Sequence, residues 1–248
     1  MKYQKEYTIQ VKEIIKEAGS NLKKMYYGSL DINEKSPKDY ITNADIKINN
    51  FLIEKLTAIY EIDIYSEEKS ESKIKSQQWI IDPVDGTSNF ILGIPHFAIS
   101  IAYKEDSKII AGFVYNPMTD ELFWTDPWNS AYLNEDIIKV SSRTAMKEMY
   151  GLFGFSANIK NINKYYQDWT ELFTNCKKAL GVLSPSLSIC CVAKGKADYF
   201  IDFGCSIEGH VAASEILRKS GGQLYNYDGE TYDISTTGIV ATNNNSFF

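Results

Sequence analysis

Residues 79–90 read WIIDPVDGTSNF, and this stretch limits the possible folds more than any other part of the chain. The apolar run Trp79-Ile80-Ile81 meets Asp82, passes Pro83 and Val84, and reaches a second acid at Asp85, followed by Gly86-Thr87-Ser88. β-favouring residues bounded by proline and glycine predict a strand that ends at a polar edge. Pro83 cannot donate to a ladder, so the strand is expected to stop there. A turn of three residues then brings Asp82 and Asp85 to one side. The fold must therefore end a buried strand in an acidic site.

Two close carboxylates share either a proton or a cation. Hard divalent cations such as Mg²⁺ take oxygen ligands and often hold a substrate phosphate as well. Gly86-Thr87-Ser88 offers backbone amides and hydroxyls at a turn or helix start, where anions are favoured. Acids beside phosphate-binding groups make chemical sense if cations lie between them. For D-P-x-D alone, a local turn in which Asp82 and Asp85 bond neighbouring amides is the simpler explanation. The added Gly-Thr and a second acidic pair, Glu67-Glu68, shift the balance toward a cation. Ile62 to Ser66 alternates as a strand does, which places Glu67 at a strand exit. Taken singly, Glu67-Glu68 is a solvated loop and Asp45 a helix cap.

The rest of the chain supplies a frame for such a site. Val11, Ile14, Ile15, Ala18, Leu22 and Met25 predict an amphipathic helix, and a second is expected from about Asp45 with Thr42 as N-cap and Asp45 closing a capping box. Strands are predicted at Gln78 to Ile81, His96 to Tyr103, Ile109 to Tyr115 and Glu121 to Trp124. Further helices are expected at Tyr165 to Phe173 and Val211 to Ser220, the latter ended by Gly221-Gly222, with strands at Gln223 to Tyr227 and Gly238 to Thr242. At 248 residues this is one mixed α and β domain over 1–248, with an N-terminal lobe of about 1–145 and a C-terminal lobe of about 146–248. The net charge of −6 provides no basic stripe for nucleic acid, so an anionic ligand needs cations as intermediaries. Cys176, Cys190, Cys191 and Cys205 have neither metal-ligand nor disulfide spacing and are expected to be buried thiols. No apolar run is long enough to span a bilayer and no leader pattern occurs, so the expected location is cytoplasmic, without membrane contact.

The D-P-V-D-G-T of residues 82–87 matches the signature of the inositol monophosphatase family, within the lithium-sensitive, magnesium-dependent sugar phosphatases. The resemblance extends through I-T-N-A-D (41–45), S-E-E (66–68), G-F-V-Y-N-P (112–117), A-Y-L-N (131–134) and K-S-G-G (219–222). It implies an α/β, mixed α+β fold, a layered αβαβα sandwich of the sugar phosphatase type, and a homodimer. It also implies a cytoplasmic Mg²⁺-dependent phosphomonoesterase acting on inositol monophosphate or a similar small polyol or sugar phosphate. The family uses two or three Mg²⁺ ions, with Mn²⁺ as a substitute. Carried over, Glu67, Asp82 and the Val84 carbonyl hold one ion, and Asp82 and Asp85 share a second. Thr87 and Asp45 orient the attacking water, while Gly86, Thr87 and Ser88 face the phosphate.

The second half departs from the family pattern. The family supplies another metal-binding aspartate from a Trp-Asp pair, twelve residues before its Gly-Gly. Counting back from Gly221 gives Gly209, preceded by Glu208, so the pair reads Glu-Gly. Either Glu208 reaches a metal from one position earlier, or water fills the place, or catalysis has been lost in favour of a binding role. Glu208 alone is also explained as an acid near a helix start, and His210 is expected to be structural or solvent-facing. At the substrate-facing helix start the chain reads Leu183-Ser184-Pro185-Ser186, with Pro185 suited to a first turn. Asp202 stands where the family has a substrate-contacting glutamate, and Ser184 and Asp202 join the expected substrate contacts. The alternatives are a nucleotide or sugar bisphosphate phosphatase, or a catalytically weakened dimeric regulatory protein.

Overall fold

The N-terminal periodicity becomes helix α1 (Lys5–Tyr26), in which Val11, Ile15, Ala18 and Leu22 are fully buried. The computed structural model describes residues 5–36, 39–68, 74–126, 128, 130–154, 162–182 and 184–243. An antiparallel hairpin follows, β1 (Ile32–Ser36) and β2 (Asp39–Thr42), which the sequence pattern does not announce. Helix α2 (Asn43–Ile59) starts at the expected cap. Thr42 Oγ1 accepts the Ala44 N–H at 3.1 Å, and the Thr42 N–H donates to Asp45 Oδ2 at 2.8 Å. Two of the helix's orphan donors are thus satisfied reciprocally.

A seven-stranded sheet comes next, its strands adjacent in chain order. It comprises β3 (Asp63–Ser66), β4 (Gln77–Asp85), β5 (Ala98–Glu105), β6 (Lys108–Asn116), β7 (Glu121–Thr125), β8 (Ala131–Leu133) and β9 (Asp136–Ile137), with the short helix α3 (Thr87–Ile91) between β4 and β5. β3 and β4 are parallel and the remaining pairs antiparallel. The chain then forms β10 (Tyr150–Gly154), α4 (Ile162–Asn175), β11 (Lys178–Gly181), α5 (Pro185–Ala193), β12 (Tyr199–Asp202), α6 (Val211–Lys219), β13 (Gln223–Asn226) and β14 (Ile239–Thr242). These strands make a second sheet in the order β11-β10-β12-β14-β13.

Alternation along the strands sets the layers. Trp79, Ile81, Ile99, Ile101 and Phe113 pack with α1 and α2, whereas Ile80, Ala98, Ala102 and Val114 face α5 and α6. Phe200, Ile239 and Ala241 of the second sheet cover the other side of α5 and α6. On the outer face of that sheet, Tyr199, Ile201 and Val240 meet Tyr165, Trp169 and Leu172 of α4. The result is the αβαβα sandwich the resemblance implies. Helix α6 presses closely on β6: a Cβ on Gly112 would lie 2.2 Å from the Ala212 carbonyl oxygen. Only glycine fits there.

Three expectations need correction or limits. β4 does not stop before Pro83 but runs to Asp85 through a bulge. Of the four thiols, Cys190 and Cys205 are buried, whereas Cys176 and Cys191 are only half-buried. Leu183 lies outside the described residues. Among the described residues, no helix is long and apolar enough to cross a membrane.

Candidate active site

The bulge in β4 explains how two acids three residues apart come to serve one site. Asp82 pairs with Ser100 and Asp85 with Ala98, so Pro83 and Val84 together stand opposite Ile99. A regular strand would send Asp82 and Asp85 to opposite faces; one extra residue restores them to the same face. Pro83 suits a bulge because it has no N–H to offer the ladder. Asp82 and Asp85 are each only 3% exposed, and Asp82 Oδ1 accepts the Val84 N–H at 3.0 Å.

Asp85 is held by the start of α5. Its Oδ2 accepts hydrogen bonds from the Ser184 and Ser186 hydroxyls and from the Ser186 N–H at 3.0 Å. Pro185 sits in the first turn of that helix, as expected. Ser184 is completely buried, and its hydroxyl supports Asp85. Ser186 was not anticipated in this role. Its only sequence signal is its place beside Pro185, because the contact spans 101 positions.

Asp45 arrives from the start of α2 with its second oxygen still available. Thr87 Oγ1 lies 3.2 Å from Asp45 Oδ1 and 3.0 Å from the Val84 carbonyl oxygen. One hydroxyl proton serves one acceptor at a time, so Thr87 is poised between the two. Gly86, the N-cap of α3, has a φ of 92°, a left-handed conformation that favours glycine. The Thr87 and Ser88 amides open α3 and so have no intrahelical partners. Glu67 follows β3 as expected. The unforeseen cation beside it is Lys35 of the β1–β2 hairpin, with Nζ 3.1 Å from the Glu67 carbonyl and 3.4 Å from Glu68 Oε2. Ile32–Ser36 reads INEKS, a single apolar residue among polar ones, which hides that strand from a hydrophobic pattern.

Glu208 lies in the turn before α6 and is 7% exposed. Its carbonyl accepts the Ser100 hydroxyl at 3.4 Å. The neighbouring Gly209 faces Asp85: a Cβ added there would stand 3.7 Å from Asp85 Oδ1 and 3.2 Å from Ser206 Oγ. Asp202, 3% exposed, ends β12 and accepts the Gly204 N–H at 2.8 Å. A Cβ on Gly154 would lie 2.2 Å from Asp202 Oδ2, so that glycine gives the carboxylate its space. His210 is structural. It is fully buried, with Nε2 3.0 Å from the Thr236 carbonyl and Nδ1 2.9 Å from the Tyr232 hydroxyl. Burial pushes its pKa down to about 4.

Burial and mutual repulsion raise the acids of this site together. Burial pushes Glu67 up to about 8, although Lys35 opposes the rise, and Glu208, Glu68 and Asp45 add to it. Burial raises Asp82 well above the usual carboxylate range, and Glu67, Asp85, Glu208 and Asp45 push it further. Asp85 is driven up to about 6 by burial against its serine donors, and Asp202 to about 6 by burial with help from Asp85. Burial also raises Asp45 and Glu208. An all-oxygen donor set with this mutual repulsion fits a hard divalent cation. Among the described residues, no three His, Cys, Asp or Glu side chains form a ready-made ion cage. Mg²⁺ suits such a place, since it is usually held by one or two carboxylates together with waters and substrate oxygens.

An αβαβα sandwich with acids at the end of a bulged strand is a sandwich of the sugar phosphatase type. The model of the inositol monophosphatase family matches residues 3–247, and the chain belongs to that family. An inositol-1-monophosphatase from Caulobacter vibrioides is 32% identical over 223 residues, covering 86% of this chain and 86% of its own. A relative from Escherichia coli named Nus factor SuhB is 30% identical over 234 residues, covering 92% of this chain and 88% of its own. Among solved structures, the extragenic suppressor protein SuhB of Bartonella henselae superposes with a TM-score of 0.89 at 26% identity, covering 96% of this chain and 94% of that one. Inositol monophosphatase II from Staphylococcus aureus gives 0.83 at 26% identity, covering 97% and 92%.

Proposed function

We propose that this chain is a Mg²⁺-dependent phosphomonoesterase acting on inositol monophosphate or a similarly small polyol or sugar phosphate. The carrying observation is the Thr87 hydroxyl, 3.2 Å from Asp45 Oδ1 beside the buried acids of β4. Glu67, Asp82 and the Val84 carbonyl would hold one cation, and Asp82, Asp85 and Glu208 are the donors for further ions. Mn²⁺ is the natural substitute. Such cations, when bound, lower the pKa of water and neutralise charge on the phosphoryl oxygens.

The remaining chemistry belongs to the chain. With its hydroxyl donating a hydrogen bond to Asp45, the Thr87 oxygen accepts a hydrogen bond from a water and fixes its direction of approach. Burial raises Asp45 above an ordinary aspartate, which suits it to take up the water's proton relayed through the Thr87 hydroxyl. The Gly86-Thr87-Ser88 amides face the phosphate, and Asp202 is the acid available to substrate hydroxyls. The water oxygen bonds to phosphorus and gives a proton through Thr87 to Asp45, the ester P–O bond breaks, and the leaving oxygen takes up a proton from solvent to become the alcohol.

A second reading has one specific observation in its favour. Gly209 presents no carboxylate beside Asp85, and several relatives carry the name Nus factor SuhB. A weakened catalyst with a regulatory role is the corresponding alternative. Phosphate release from a panel of small phosphate esters, with Mg²⁺ and with chelator, separates the two. Metal-dependent release supports the phosphatase, and none from any ester rules it out.

A further inference from the structure

We propose that Tyr232 and the Thr236 carbonyl, acting through His210, are positioning groups that set the turn carrying Glu208. The inference rests on the reading of the buried acids as a cation cradle. Residues 207–210 form a turn in which the His210 and Val211 N–H groups both return to the Ile207 carbonyl, at 3.2 and 3.1 Å. On one side the Ser100 hydroxyl holds the Glu208 carbonyl at 3.4 Å, and Ser100 is the register partner of Asp82. On the other side the His210 ring is held at both nitrogens. A carbonyl only accepts, so Nε2 carries the proton toward Thr236 and Nδ1 accepts from the Tyr232 hydroxyl. That pattern fixes both the tautomer and the ring plane.

His210 is also the N-cap of α6, yet its side chain caps no helix N–H. Its carbonyl instead accepts the Ser214 N–H and hydroxyl, each at 2.8 Å. The ring is therefore spent wholly on the segment before β14, and its backbone lies two residues from Glu208. Losing either ring contact would free the His210 side of the turn. The β13–β14 connection thus braces the turn from which the Glu208 side chain projects.

The test reads cation binding rather than turnover. Mn²⁺ alone is titrated into the full-length chain and followed by electron paramagnetic resonance, for the native protein, Tyr232→Phe, Glu208→Gln and the double variant. Tyr103→Phe, which removes a hydroxyl bonded to Gln77 on β4, is the control. Tyr232→Phe is expected to weaken Mn²⁺ binding about tenfold, the low end of what losing an outer hydrogen bond costs a metal site. It is expected to add nothing once Glu208 is Gln. Unchanged affinity in Tyr232→Phe, or an equal loss with and without Glu208, overturns the positioning role. A native protein that binds no Mn²⁺ overturns the cradle itself. Should Tyr232→Phe fail to fold, the native ring provides the readout. The chain has 2 histidines, so the His210 Nδ1 ¹⁵N resonance can be followed directly. A shift on adding Mg²⁺ supports the linkage, and an immobile resonance overturns it.

Discussion

Gly209 faces Asp85 across the site, at a distance where an added Cβ would stand 3.7 Å from Asp85 Oδ1. Meanwhile Asp85 Oδ2 is occupied by Ser184 and Ser186, so Oδ1 is the oxygen turned toward the side chain that glycine lacks. Glu208, one residue earlier, instead pushes up Glu67 and Asp82.

Gly209→Asp restores a carboxylate beside Asp85. Its Cβ asks Ser206 Oγ to move by only a few tenths of an ångström. Metal-dependent turnover is expected to rise at least about tenfold, in line with what one well-placed group contributes to a metal site. No gain in steady-state phosphate release would show that Glu208 already serves or that catalysis does not need the position.

Thr87→Val removes the hydroxyl between Asp45 and Val84 while keeping the shape. Loss of a positioned proton acceptor typically costs a hundredfold or more, so kcat should fall by about 10² to 10⁴. Far-UV circular dichroism should be unchanged, because Thr87 is not the residue that caps α2. Wild-type kcat in this variant would remove Thr87 and Asp45 from the mechanism.

The metal-free protein should lose stability as pH rises. Glu67, Asp85 and Asp202 have folded pKa values of about 8, 6 and 6, above ordinary carboxylates. These three acids therefore bind more protons in the folded state than in the unfolded one, and the buried His210, pushed down to about 4, offsets only one of those protons. The contribution is present below the unfolded pKa values and is lost as pH rises through about 6 to 8. Thermal denaturation in chelator should give a falling Tm between pH 5 and 8, and Mg²⁺ should flatten the slope. A Tm that rises over this interval without metal would contradict the shared burial of these acids.

Asp198 joins the segment after β9 to the second sheet. Fully buried, it accepts from Arg143 Nε at 2.9 Å, the Tyr150 N–H at 2.7 Å, Asn243 Nδ2 at 3.1 Å and the Ser141 hydroxyl. Arg143→Ala should cost about 2–3 kcal/mol in urea unfolding, below the range for a fully buried pair because its side chain is 32% exposed. A cost near zero would mean that the other donors suffice for Asp198.

Much of the site was legible because local chemistry carries it. The cap at Thr42 and Asp45, the strand into Asp82, the exit at Glu67 and Pro185 in a first turn each depend on neighbours within a few residues. Pro83 misled because a proline that ends a strand and one that sits in a bulge look alike without the partner strand. The β1–β2 hairpin was hidden because Ile32–Ser36 is stabilised by pairing rather than by an apolar face. Ser186 and Lys35 reach the acids only through tertiary contact, across 101 and 32 positions. No spacing rule spans such separations.

The most direct measurement is anomalous diffraction from crystals soaked in Mn²⁺ and phosphate. The predicted result is an ion in contact with Glu67, Asp82 and the Val84 carbonyl, with phosphate against Thr87. Clear density for the acids with no ion among them would contradict the cation cradle, and with it the phosphatase.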